Sequence, residues 1–313
     1  MHDALKGLHF FSRFAYSFSA LGYRRRRRQW QEPDSDFNGQ RWLVTGASGG
    51  IGRAITLGAV RHGADVLAVA RSTKKLAELI ALGGERVMMQ RVDLSETGEI
   101  NRLLDTLDDG ADQRRINVLV NNVGVLLNEH KISGEGHELS FATNLLNHYV
   151  LTNGLIERGL LADDAVIINM SSGGMYNVPL AIDRLNTLDA EDYDGVLAYA
   201  YQKRAQVALN ELWRKQHAAT GTTFYVMHPG WVDTEGVKTS LPGFRALFQH
   251  VLRSAEAGAD TALWLAAARP LQDDDGSIWF DRKEHSAHLD ASTRQVADDA
   301  DALVDYLVGI TTV

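Results

Sequence analysis

The sequence predicts an α/β fold, a doubly wound parallel sheet in a single domain with an N-terminal helical arm. Three observations predict it. From Gln40 onward, short apolar runs alternate with helix-periodic segments. The first run, Trp42-Leu43-Val44, feeds the glycine-rich stretch Thr45-Gly46-Ala47-Ser48-Gly49-Gly50-Ile51-Gly52 and then a helix pattern at Ala54, Ile55, Leu57, Ala59 and Val60. Polar motifs also recur at successive predicted strand ends, the edge where such sheets bind ligands.

The arm comes first. Leu5, Leu8, Phe11, Phe14, Phe18 and Leu21 recur every three or four residues, the spacing of one face of a helix about five turns long, and Arg24 to Arg28 follow it. One reading is a peripheral membrane anchor, with aromatics at the acyl boundary and arginines on anionic headgroups. The other is a helix packed on the protein's own body or on a partner, with a solvated charge run behind it. The charges follow the apolar run, the reverse of a secretory signal. Glu32-Pro33-Asp34-Ser35-Asp36 reads as a linker, so the division is 1–37 for the arm and 38–313 for the domain. Loss of membrane recovery with intact activity after deletion of residues 1–36 would separate anchoring from chemistry.

Within the domain, strands are expected at 41–45, 65–70, 86–91, 116–121, 165–170, 223–228 and 277–280. Helices are expected near 51–62, 73–82, 95–108, 138–159, 197–217 and 254–267, with a closing helix at 293–308. Repeated βα units of this length imply right-handed crossovers and helices on both sheet faces.

Composition narrows the function. The 313 residues are 45% hydrophobic and 23% charged, enough for a large core, and no cysteine is present for disulfides or thiolate metal sites. That agrees with a cytoplasmic, reducing setting. No run of about 18 apolar residues exists to span a bilayer. Residues 1–30 carry a balance of +6 and the remainder −14, for a net charge of −8. An acidic body argues against nucleic acid as the main partner. His285 and His288 lie near Asp281 and Glu284 but without a fixed ligand geometry, so no metal is expected.

The glycine-rich turn is suited to a pyrophosphate: small residues let the backbone approach, and amides at a helix start bind the anion. Asn121-Asn122-Val123-Gly124 ends the fourth strand, and Asn144 falls in the next helix. Ser171-Ser172 ends the fifth strand, Tyr199 and Lys203 sit one turn apart on the following helix, and Pro229-Gly230-Trp231-Val232-Asp233-Thr234 follows the sixth.

Together, and in this order, these motifs resemble the short-chain dehydrogenase/reductase family, over nearly everything from Gln40 to Leu289. The resemblance implies a Rossmann-type dinucleotide fold and an oxidoreductase acting on an alcohol or carbonyl compound. It makes Tyr199 the general acid in reduction and base in oxidation. A free phenol titrates near 10, and a cation about 4–5 Å away, worth roughly 3–4 kcal/mol at an effective dielectric of 20, would lower that by about two to three units. Lys203 is one expected cation, and oxidised nicotinamide would supply another. Ser172 would orient the substrate oxygen, and Asn144 would hold a water linking Lys203 to solvent. The implied cofactor set is Gly46, Ser48, Gly50, Ile51, Gly52, Asp93 at the adenine, Asn121 and Gly124 beside the ribose, Tyr199, Lys203, Pro229, and Val232 with Thr234 at the carboxamide. In many relatives helices 138–159 and 197–217 form dimer faces, so a homo-oligomer is one option, and the arm covering those faces is the other.

At the end of the second strand an acid would favour NAD and a cation NADP. Here Ala70 stands at the acid position and Arg71-Ser72 follow, so NADP(H) is expected, held by the arginine fork. Leu241, Phe244, Leu247 and Phe248 form an expected lid, with Met175, Tyr176, Val178, Pro179 and Leu180 opposite and Trp231 near the mouth, suited to a lipophilic substrate. The segment between Ser172 and Tyr199 is long and carries Asp183, Arg184, Asp189, Glu191, Asp192 and Asp194, an expected acidic overhang. Two rival readings come from other classes: a catalytically silent cofactor-binding protein, and a membrane- or partner-interaction module worked by the arm.

Overall fold

A computed structural model describes residues 13–110, 112–272, 276–294 and 297–311. The described strands are β1 (Arg41–Thr45), β2 (Asp65–Ala70), β3 (Val87–Arg91), β4 (Ile116–Asn121), β5 (Leu161–Met170), β6 (Thr223–Met227), β7 (Ser277–Phe280) and β8 (Lys283–Ser286). They form one sheet in the order β3-β2-β1-β4-β5-β6-β7-β8. Strands β1 to β7 run parallel, and β8 pairs antiparallel with β7. Strand order reverses between β1 and β4, so the glycine-rich turn and the Asn121–Gly124 stretch leave the sheet side by side at its carboxyl edge.

The sheet is covered on both faces. Helices α2 (Gly50–Arg61), α3 (Thr73–Gly83) and α9 (Ala255–Ala268) close over Trp42, Val44, Val118 and Ile168. On the other face, α4 (Thr97–Asp108), α5 (139–157) and α6 (Gly195–Gln216) close over Leu43, Leu67, Leu119 and Ile167. In α4 the buried set Ile100, Leu103, Leu104 and Leu107 has the period of a single helix face. The lid region forms two short helices, α7 (Glu235–Ser240) and α8 (Pro242–Phe248), and α10 (Ala297–Thr311) ends the described chain.

Three expectations need correction. β5 begins at Leu161, earlier than its apolar run, because Leu161 pairs with Ile116 ahead of a register shift. β8 was not expected at all: Lys283-Glu284-His285-Ser286 has no apolar pattern, and it pairs with β7 through a turn at Asp281 and Arg282, both at positive φ (49° and 59°). The arm is not one continuous helix. Residues 13–18 are helical, Ser19 breaks the run, and α1 (Ala20–Arg27) restarts it, with Ser19 Oγ accepting from Gly22 N at the new N-terminus. Four of the arginines, Arg24 to Arg27, therefore lie in the last turn of α1, where they complement the helix dipole, and Arg28 caps its end. Phe18 is buried on the body while Leu21 is 50% exposed, so the proposed single apolar face is split. Leu5, Leu8 and Phe11 lie outside the described residues.

Candidate active site and cofactor cleft

The glycine-rich turn has the geometry of an anion cradle. Gly46 has φ +65°, and a Cβ added at Gly52 would strike the Gly46 carbonyl, so the chain packs here as only glycine permits. No side chain caps α2 at Gly49, which leaves its N-terminal end for a bound anion. Thr45 Oγ1 accepts from the amides of Asn122 (2.9 Å) and Val123 (3.0 Å), tying the ends of β1 and β4 together. Opposite, Thr234 approaches Gly50 closely, and Ile51 and Val232 meet beside Gly258. Thr234 also caps α7 by accepting from Val237 N. These features fit a dinucleotide lying between the turn and the Pro229–Thr234 loop, with Ser48 half-buried on the turn's surface.

Arg71 is 63% exposed and stands 3.9 Å from Asp93, so the two groups expected at the adenosine end share one corner. Both neighbours have local tasks besides. Ser72 caps α3 by accepting from Lys75 N, and Asp93 Oδ1 accepts from Ser95 N and Oγ. Asn121 departs from expectation. Its side chain is buried beneath the sheet edge, donating to Thr152 Oγ1 and Asn169 Oδ1 (both 2.9 Å), because a strand end alternates its side chains between faces. Only its backbone can border a ribose. Gly124 does lie at the cleft: a Cβ there would come within 3.2 Å of Lys203 Nζ.

Helix α6 carries Tyr199 and Lys203. Asp194 caps it, accepting from Val196 N and Leu197 N (2.9 and 3.0 Å), which gives this acid of the inserted segment a structural role. Ser172, Tyr199 and Lys203 come together at the end of β5. Tyr199 interacts with Ser172, whose hydrogen bond pulls the phenol pKa down while desolvation, the larger effect, pushes it up. Lys203 is buried without a carboxylate. Its ammonium donates to Met170 O (2.8 Å) and Gln206 Oε1 (3.0 Å), lies 5.5 Å from the Tyr199 ring centre, and is pushed down by burial to about 7. In this structure desolvation outweighs any lowering of the phenol by the lysine. Desolvation weakens the lysine's own charge and its direct hydrogen bonds go elsewhere.

Asn144 sits in a π-helical turn, Ala142–Leu146, of α5. Such turns are common at functional positions. Its side chain is engaged at both ends: Oδ1 accepts from Val125 N (2.7 Å), and Nδ2 donates to Val125 O (2.8 Å) and Gln202 Oε1 (2.7 Å). Its carbonyl accepts from Gln206 Nε2 at 2.6 Å. A side chain therefore stands between Lys203 and Asn144 where a water was expected.

Sequence reasoning missed this second layer. Gln206 also donates to His148 Nδ1 (2.8 Å), and His148 is held neutral, pushed down to about 3 by burial and then by the Lys203 charge. Gln202 connects Asn144 to the buried carboxylate of Glu138 (3.1 Å), which in turn caps the start of α5. The i+3 spacing of Gln206 from Lys203 was a usable signal, since helix neighbours three apart share a face. His148 and Glu138 gave none.

Of the expected walls, Met175, Tyr176 and Val178 are core residues, whereas Phe244 meets Trp231 edge to face at 5.0 Å and Phe248 meets it at a tilt at 4.9 Å. Leu247 is exposed. His288 Nδ1 lies 3.2 Å from Thr293 Oγ1, and His285 packs on Phe280.

The family described as short chain dehydrogenase matches residues 40–182. The chain is 38% identical to dehydrogenase/reductase SDR family member 12 of Homo sapiens, over 82% of this chain and 80% of that one. It is 29% identical to retinol dehydrogenase 11 of Homo sapiens, over 80% of each. Among solved structures, an uncharacterized protein from Mycobacterium paratuberculosis superposes with a TM-score of 0.70 at 22% identity, covering 88% of this chain and 95% of the other. The angucycline C-6 ketoreductase LanV with bound NADP superposes at 0.60 and 23% identity, covering 74% and 90%.

Proposed function

Because the chain belongs to the short-chain dehydrogenase/reductase family, we propose that this oxidoreductase uses NADP(H) to interconvert a lipophilic alcohol and its carbonyl compound. The observation that supports the reading is the assembly of Ser172, Tyr199 and Lys203 at the sheet's carboxyl edge, facing a glycine-rich turn and an uncapped helix start. The bound nicotinamide supplies or accepts the hydride. Ser172 holds the substrate oxygen, Tyr199 delivers the proton to it in reduction and removes it in oxidation, and Lys203, close beside Gly124, holds the cofactor ribose.

Arg71 supports NADP(H), being exposed at the end of β2 where the preceding residue, Ala70, is not an acid. The name of the relative retinol dehydrogenase 11 and the apolar Trp231–Phe244–Phe248 cluster support a lipophilic substrate. Among the described residues no helix is long and apolar enough to cross a membrane. Arg24, Arg25, Arg27 and Arg28 are exposed on one side of the arm, which supports contact with an anionic membrane surface by a cytoplasmic enzyme.

The test is oxidation of NADPH across aldehydes and ketones of graded chain length, with Tyr199→Phe beside the parent. The variant should fold and bind cofactor but lose turnover by about 10²- to 10⁴-fold. Undiminished turnover would end the assignment of Tyr199.

A further inference from the structure

We propose that residues 13–18 of the arm form one wall of the substrate pocket, with Phe14 touching the part of the substrate remote from the reacting carbon. This rests on the oxidoreductase reading above.

The arm is wired to the loop that borders the cleft. Phe18 O accepts from Trp231 N at 3.0 Å and from Arg253 Nε at 2.8 Å. The Arg253 guanidinium continues to Ser17 O (2.9 Å), Pro229 O (3.4 Å) and both oxygens of Asp281 (2.6 and 3.0 Å). Asp281 takes Arg26 as well (2.6 Å), so one buried carboxylate joins α1, the β7–β8 turn and the Pro229–Thr234 loop. Ala20 N donates to Val251 O, a further bond between arm and body.

The rings give the same placement. Phe14 stacks on Phe18 (4.7 Å) and on Tyr176 (4.8 Å), and Tyr176 lies in the 3-10 turn that begins directly after Ser172. Phe18 meets Trp231 edge to face at 6.0 Å, and Trp231 carries the lid aromatics. Phe18 also meets the buried His228 edge to face at 4.3 Å, and neither ring nitrogen of His228 has a hydrogen-bond partner among the described residues. Phe14 and Trp231 are the partly exposed members of the cluster. Phe14 reaches the segment following Ser172 through Tyr176, and Trp231 reaches the lid through Phe244 and Phe248, so the distant end of a lipophilic substrate would run between them. Removing residues 1–36 would therefore take away a wall of the site, and such a deletion does not separate anchoring from chemistry.

The experiment uses the full chain with Phe14→Ala, Phe14→Leu and, on the outer side of α1, Leu21→Ala. NADPH binding is followed by fluorescence, and kcat and KM are measured along a series of aldehydes of increasing length. Phe14→Ala should raise KM for the longest aldehyde about tenfold, equivalent to about 1.4 kcal/mol. KM for the shortest should stay within about twofold, with kcat and NADPH binding little changed. Phe14→Leu should fall between, and Leu21→Ala should match the parent. An unchanged dependence of KM on chain length in both Phe14 variants overturns the proposal. Should the parent reduce no carbonyl compound, the oxidoreductase reading fails by itself. The wall is then judged by hydrogen exchange of the NADP-bound protein with a long-chain primary alcohol: slowed exchange in residues 13–18 supports it, and no slowing overturns it.

Discussion

Gln206 Oε1 accepts a hydrogen bond from Lys203 Nζ at 3.0 Å, and the amide nitrogen of the same side chain donates to Asn144 O and His148 Nδ1. A neutral amide thus occupies the space between the lysine and the backbone carbonyl of α5. It fixes the ammonium without adding a charge, so burial alone governs how readily Lys203 holds its proton.

Placing a carboxylate there should reverse that balance. Gln206→Glu should move the limb of the kcat/KM profile that reports Lys203 upward by about one to three pH units, because a nearby anion favours the charged amine. Gln206→Leu should not shift it upward. Coincident profiles for the parent and Gln206→Glu would remove Gln206 from any control of the lysine.

Stability carries the same signature. Lys203 titrates near 7 when folded and at about 10.4 when unfolded. Between those values the unfolded chain holds a proton that the folded protein lacks, so stability should rise as pH increases from about 7 to 10 and should carry its full penalty below 7. Lys203→Met should remove this rise and gain on the order of a few kcal/mol at neutral pH. Urea midpoints taken across that range test it, and parallel pH dependences for the two proteins would contradict it.

Cofactor choice should rest on Arg71. Its guanidinium is exposed and only loosely associated with Asp93, leaving its fork available to a phosphate. Arg71→Ala should weaken NADPH binding about tenfold or more, the scale of a lost charge-assisted hydrogen bond, while NADH binding stays within about twofold. Titration of both cofactors decides it, and equal losses would mean that Arg71 does not read the 2′-phosphate.

The clamp holding the arm should dominate its stability. Arg253 and Asp281 are each 1% exposed, and Asp281 sits at φ 49°, which asparagine also tolerates. Asp281→Asn therefore keeps the turn but leaves the Arg253 charge buried and unpaired, at a cost of about 3–5 kcal/mol. A urea midpoint equal to that of the parent would show that the pair contributes little.

Much of this molecule was legible in its order of residues. Glycines after β1, polar motifs at successive strand ends and Tyr199 one helical turn from Lys203 depend on local spacing, which a sequence displays directly. So do the periods of the strands and helices, since continuous apolar runs and 3.6-residue repeats are properties of single segments. What lay beyond reach were relationships between distant segments. The polar β8 exists because β7 offers it an edge. Asn121 faces the core because of the pleat in β4. Gln206 meets Asn144 only when α5 and α6 pack. Phe18 belongs to the body because Arg253 and Asp281, 28 positions apart from each other, converge on its carbonyl end of the arm. Local pattern specified which elements form and which groups could react; packing between elements decided which neighbours surround those groups and where the arm sits.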